Sequence, residues 1–84
     1  MLIYVWNLPH NVSENNFRET FEAFGQVNFA IISSTVLQDR SNGQLRRFAL
    51  VEMPHPAEAQ TAISSLNSKI LLGRRMILYG SSEN

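Results

Sequence analysis

Hydrophobic and polar positions along this chain alternate with a strand period in some stretches and recur with a helix period in others. Ile3-Tyr4-Val5-Trp6-Asn7-Leu8 reads as a first strand, with Ile3 and Val5 on one face and Tyr4 and Trp6 on the other. Pro9 closes it. Val12 and Ser13 then form a helix entrance, where Ser13 accepts from exposed backbone N–H groups and Val12 staples onto Phe17. Phe17, Phe21 and Phe24 recur at helical spacing as a core stripe, and Gly25 supplies a left-handed stop. Val27 to Val36 predicts a second strand, rich in β-branched and aromatic residues. Gln38 to Gln44 carries the Asn42-Gly43 signal of a hairpin, and Phe48 to Met53 follows as a third strand. Pro56 suits the first turn of a second helix with Ala59, Ala62, Ile63 and Leu66 as its buried stripe. Asn67 to Leu72 reads as a loop with room for a short strand. Gly73 precedes a final strand from Arg75 to Tyr79, and Ser81 to Asn84 reads as a disordered tail.

The order β-α-β-β-α-β predicts an α+β, ferredoxin-like fold, a four-stranded antiparallel sheet with two helices on one face. The other face is left bare, and a bare apolar face calls for a function. Strand alternation assigns Tyr4, Trp6, Phe29, Ile31, Arg46, Phe48, Leu50, Glu52, Ile77 and Tyr79 to it. Ile3, Val5, Leu8, Ala30, Ile32, Ala49, Val51, Met76 and Leu78 are then the core-facing set. The second strand is apolar on both sides, so its alternation alone leaves either set inward. In an antiparallel pairing that sets Tyr4 opposite Leu50, Trp6 falls opposite Phe48.

Composition narrows the function. Eighty-four residues with 44% hydrophobic content form a single small domain. No cysteine is present, which removes thiol chemistry and cysteine-ligated metal sites. No apolar run reaches the ~20 residues of a membrane span, and the N-terminus lacks a signal peptide's basic region, so a cytoplasmic location is expected, or a nuclear one in a eukaryote. Asn11-Val12-Ser13 matches the glycosylation triplet but is better explained by the helix cap. Seven basic and seven acidic residues cancel, which argues against a high-affinity nonspecific coat protein. The distribution is uneven: Arg46 with Arg47 and Arg74 with Arg75 form tight pairs, whereas Glu14, Glu19, Glu22 and Glu58 fall in the helical segments. Exposed aromatics beside cations suit the stacking of unpaired bases and the neutralising of phosphates. If all four arginines engage phosphates, log affinity falls with log salt at a slope of about −3.

The chain resembles the RNA-recognition motif family. Ile3 to Leu8 is similar to the family's six-residue motif, Val/Ile-Tyr/Phe-Val/Ile-Gly-Asn-Leu, and Arg46 to Met53 to its eight-residue motif, K/R-G-F/Y-G/A-F-V-x-F/Y. Phe24-Gly25-x-Val27, the Asp39 to Gly43 loop, Glu58-Ala59 to Leu66-Asn67 and Gly73-Arg74 extend the resemblance over nearly the whole chain, with residues 1–80 as the domain. It implies a single-stranded RNA partner, with single-stranded DNA as a second candidate, and a role in post-transcriptional regulation or RNA processing. By this resemblance Tyr4 stacks a base, Phe48 packs on a neighbouring base or ribose, and Arg46 pairs with a phosphate. Trp6, Arg47, Leu50, Tyr79 and Phe29 complete the candidate RNA-binding set. The chain departs from the pattern at Leu50, Arg47, Met53 and Trp6, where the family favours aromatic, glycine, aromatic and glycine respectively. The loss at Leu50 matters most, because one stacked base contributes ~1–3 kcal/mol. Trp6 either restores a platform one pair along the sheet or lies flat on Phe48 and seals the surface.

A protein-interaction module remains the alternative, since Phe29, Ile31, Leu50 and Ile77 make the face greasier than stacking requires, suiting a homodimer or a partner peptide. An enzyme is not expected. No nucleophile–base pair, carboxylate pair or glycine-rich phosphate loop is present, and Pro9 to Glu14 lacks the arginine of an acylphosphatase-like site. His10 and His55 lack metal-ligand partners in sequence, and no cofactor or metal is expected.

Overall fold

The structure, a computed structural model, describes residues 1–8, 11–38, 43–71 and 73–81, with the backbone alone described at 35–38, 43–46, 71 and 74. Its elements are β1 (Leu2–Trp6), α1 (Glu14–Glu22), β2 (Phe29–Gln38), β3 (Gly43–Glu52), α2 (Pro56–Leu66), β4 (Ile70–Leu71), β5 (Arg74–Arg75) and β6 (Ile77–Ser81). A four-stranded sheet runs in the order β2-β3-β1-β6, antiparallel in the pairings of β1 with β3 and β6 and of β2 with β3, and β4-β5 forms a separate small ribbon. This is the ferredoxin-like α+β fold that the segment order predicts.

Both helices cover one face of the sheet, α1 over β2 and α2 over β6. Between them and the sheet lie Ile3, Val5, Leu8, Val12, Phe17, Phe21, Val27, Ala49, Val51, Met53, Ala59, Ala62, Leu66, Met76 and Leu78. Phe24, Ala30, Ile32 and Ile63 pack against that core half-buried. The inward set is therefore the one alternation predicts, and β2 turns Ala30 and Ile32 inward, with Phe29 and Ile31 outward. Gly80 marks a close approach of β6 to α2: a Cβ there would lie 2.7 Å from Ile63 Cδ1.

Element ends depart from the sequence reading where a side chain captures the backbone. Asn7 (φ 65°) leaves β1 early, and its Nδ2 donates to the Arg75 carbonyl at 2.8 Å. β2 starts at Phe29 rather than Val27, because Arg18 Nη2 donates to the Val27 carbonyl at 2.9 Å. β3 begins at Gly43 rather than Phe48, since its polar first half continues the ladder with β2. Arg74 and Arg75 belong to β5, paired with Ile70 and Leu71, so the last sheet strand starts at Ile77 rather than Arg75. Ser81, assigned above to the tail, pairs with Leu2 in β6. Pro9, His10, residues 39–42 of the expected hairpin turn, Leu72 and positions 82–84 lie outside the described residues.

Ser13 caps α1 as expected, its hydroxyl accepting from the Asn16 N–H at 3.1 Å. The helix ends at Glu22 with Ala23 still in a right-handed conformation, and Gly25 beyond it has a positive φ of 155°, which favours glycine. A Cβ there would also collide with the Glu58 side chain. That carboxylate accepts from the Gln26 N–H at 3.1 Å and ties the exit of α1 to α2.

Candidate nucleic-acid interface

The uncovered face is a grid set by strand register. One row across it is Ile31, Leu50, Tyr4 and Tyr79, and the next is Ser33, Phe48, Trp6 and Ile77. On the other side of the first row lie Phe29, Glu52, Leu2 and Ser81. Tyr4 thus stands opposite Leu50 and Trp6 opposite Phe48, as the antiparallel pairing predicts. Tyr4, Trp6, Phe29, Ile31, Ile77 and Tyr79 are exposed, and Phe48 and Leu50 are half-buried between neighbours.

Trp6 and Phe48 form a ring pair, with centroids 5.1 Å apart and planes tilted by 32°. Trp6 nevertheless remains 38% exposed, so packing on Phe48 does not bury it. The two roles left open for Trp6 are compatible in this geometry, because one side of the indole meets Phe48 while part of it reaches solvent. Glu52 lies half-buried beside Leu2 and Phe29 at the margin of the grid.

The arginines separate. Arg47 occupies the alternate register position to Phe48, and its Nη2 donates to the Val12 carbonyl at 3.3 Å on the helix side. That contact turns it away from the ring-bearing face, so Arg47 is not grouped with the stacking surface. Adjacent residues of a strand point to opposite sides, so Arg46 and Arg47 cannot act as one patch. Arg46 sits opposite Thr35 in the ladder, and its side chain, like that of Arg74, lies outside those described. Arg75 is exposed on the β4–β5 ribbon. Lys69, which the sequence reading did not single out, is exposed at the foot of the same ribbon, where its carbonyl accepts from the Met76 N–H at 3.0 Å. Arg75 is marked by its pairing with Arg74 along the chain, whereas no motif marks Lys69.

Comparison with known proteins agrees with this geometry. The RNA recognition motif family model matches residues 3–77. Over 76 residues the chain is 33% identical to the putative RNA-binding protein RbpD of Nostoc sp., covering 90% of this chain and 77% of that protein. It is 36% identical over 74 residues to the glycine-rich RNA-binding protein 1 of Mycosarcoma maydis, covering 88% of this chain but 40% of the longer protein. Among solved structures, the RNA-binding protein PG1 superposes with a TM-score of 0.73 at 33% identity, covering 100% of this chain and 96% of that one. The matched span includes both helices, both short motifs and all of the grid but Leu2, Tyr79 and Ser81, and on that basis the chain belongs to the RNA recognition motif family of RNA-binding domains.

Proposed function

We propose that this chain binds single-stranded RNA on the open face of its sheet, with Tyr4 and the Trp6–Phe48 pair as the base-stacking surface. The observation that carries this reading is the pairing of two exposed rings on the central strand β1, with no helix above them and a further ring on each flanking strand. Rings held by a rigid sheet stack bases with little conformational cost, and a surface of this width accommodates about two to four nucleotides. Zero net charge and the aliphatic side chain at Leu50 keep the affinity moderate, in the micromolar range. Its expected setting is post-transcriptional regulation or RNA processing.

Fluorescence polarisation with a labelled pool of random RNA octamers tests this. Tyr4→Ala is expected to weaken binding by about 5- to 150-fold, the loss of one stacked base. A wild-type chain that ignores the pool at low salt, or a Tyr4→Ala variant that binds equally well, contradicts the reading.

A second reading is favoured by Ile31, which is 47% exposed beside Phe29 on β2 and offers no ring to a base. In that reading the face docks a protein or a second copy of the chain, and sedimentation of the free protein would show a concentration-dependent mass.

A further inference from the structure

We propose that the outer edge of β2 pairs with β2 of a second copy of this chain, antiparallel across a two-fold axis, and that the Glu14 carboxylate competes for that edge. The edge belongs to the backbone of the sheet rather than to its open face, so this interface stands apart from the RNA-binding reading.

The two outer strands of the sheet are unequally protected. β6 is five residues long, and the chain just before the β4–β5 ribbon runs along it. Ser68 N–H donates to the Met76 carbonyl at 2.9 Å, Met76 N–H to the Lys69 carbonyl at 3.0 Å, and Leu78 N–H to Asn67 Oδ1 at 3.0 Å. A short strand with a covering segment is a poor template for another chain. β2 is ten residues long, and on its outer side the described residues show one contact, from Ile32 N–H to Glu14 Oε2 at 3.0 Å. Backbone groups alternate sides along a strand, so Ala30, Ser34 and Val36 turn theirs outward with Ile32. A row of donors and acceptors at strand spacing is complementary to another strand.

The side chains of β2 point to its own copy as the occupant. Phe29–Gln38 reads Phe-Ala-Ile-Ile-Ser-Ser-Thr-Val-Leu-Gln, without a charged residue. Charges on an edge keep a strand from its own copy, because two-fold pairing brings like charges together. β2 meets itself without that repulsion, and its β-branched residues favour the extended state. An antiparallel pair about an axis perpendicular to the sheet keeps both open faces on the same side. Phe29 and Ile31, 37% and 47% exposed on the strand at that edge, then gain apolar neighbours from the second copy. Glu14 opposes this, because an incoming strand must displace its carboxylate from Ile32 N–H in both copies. Self-association of the wild-type chain is therefore weak.

Sedimentation of the purified chain alone, from micromolar to millimolar concentration, tests this with no other protein present. Glu14→Ala is expected to tighten self-association by about 5- to 150-fold over wild type, since one competing hydrogen bond is removed from each copy. Two second changes in the Glu14→Ala chain are each expected to restore a monomer. Ser34→Pro removes an outward donor, which an edge strand tolerates, and Ile31→Lys places a charge at the rim of each copy. Ser34 and Ile31 are both exposed, so neither change enters the core. Ile31→Lys alone decides the matter if Ser34→Pro loses the fold by circular dichroism. A Glu14→Ala chain that associates no more tightly than wild type overturns the proposal. Association that survives either second change in a folded chain overturns it too, and survival of Ser34→Pro alone moves the contact to the open face.

Discussion

Trp6 stands where the family pattern favours glycine, and its neighbours explain how a large side chain is accommodated. Its partner across β3 is Phe48, and its partner across β6 is Ile77. The tilted contact with Phe48 orients the indole without burying it. A fixed, partly exposed ring costs little further entropy when a base stacks on it. The chain has one tryptophan, so its fluorescence reports this site alone. Saturating single-stranded RNA is expected to quench it, and Trp6→Ala to weaken octamer binding by about 5- to 150-fold. Unchanged emission at saturation would mean that Trp6 only seals the sheet. Arg47 shows the opposite lesson at the same scale. Its adjacency to Arg46 suggested a basic patch, yet strand alternation already assigns neighbouring residues to opposite faces, and the Val12 carbonyl takes its guanidinium.

At the scale of elements, side chains decide where strands end and how edges are protected. Both outer strands have a backbone N–H taken by a helix-side residue. Glu14 Oε2 accepts from the Ile32 N–H on β2, and Asn67 Oδ1 accepts from the Leu78 N–H on β6 at 3.0 Å. Such contacts blunt edges that would otherwise pair with another chain. Gly80 sets how closely α2 approaches β6. Gly80→Ala places a methyl 2.7 Å from Ile63 Cδ1 and is expected to cost ~0.5–1.5 kcal/mol, as the Ile63 side chain turns aside. Removing that Cδ1 with Ile63→Val in the same chain is expected to recover part of the loss. Thermal denaturation of the single and double variants measures this, and strictly additive effects would contradict the steric account.

The alternation of β1 and β3 was legible because one face is buried by helices and the other by nothing, so the apolar pattern carries a direction. Tyr4 opposite Leu50, taken as a condition, places Trp6 opposite Phe48, and the structure supplies the β2–β3 and β1–β6 registers. Strand ends were not legible, because Arg18 at Val27 and Asn7 at Arg75 are contacts between residues distant along the chain. The β4–β5 ribbon was hidden for the same reason: Arg74 and Arg75 read as the start of a strand, but pairing with Ile70 and Leu71 claims them first.

Over the whole molecule, the helices cover one face of the sheet, and the exposed rings of Tyr4, Trp6, Phe29 and Tyr79 stand on the other. The core is wholly apolar among the described residues. The surface proposed to bind RNA is about as wide as the sheet and comprises Tyr4, Trp6, Phe48 and Tyr79 amid aliphatic neighbours. The fold's contribution is to hold these side chains at strand spacing, ~4.8 Å between strands, so that they act as one surface.

An amide-shift NMR titration of the chain with the random RNA octamer pool, at low and moderate salt, tests this claim most directly. The account predicts salt-sensitive shifts concentrated at Tyr4, Trp6, Phe48 and Tyr79, with α1 and α2 almost unmoved. Shifts confined to the helices, or none on the sheet at saturating RNA, would contradict it.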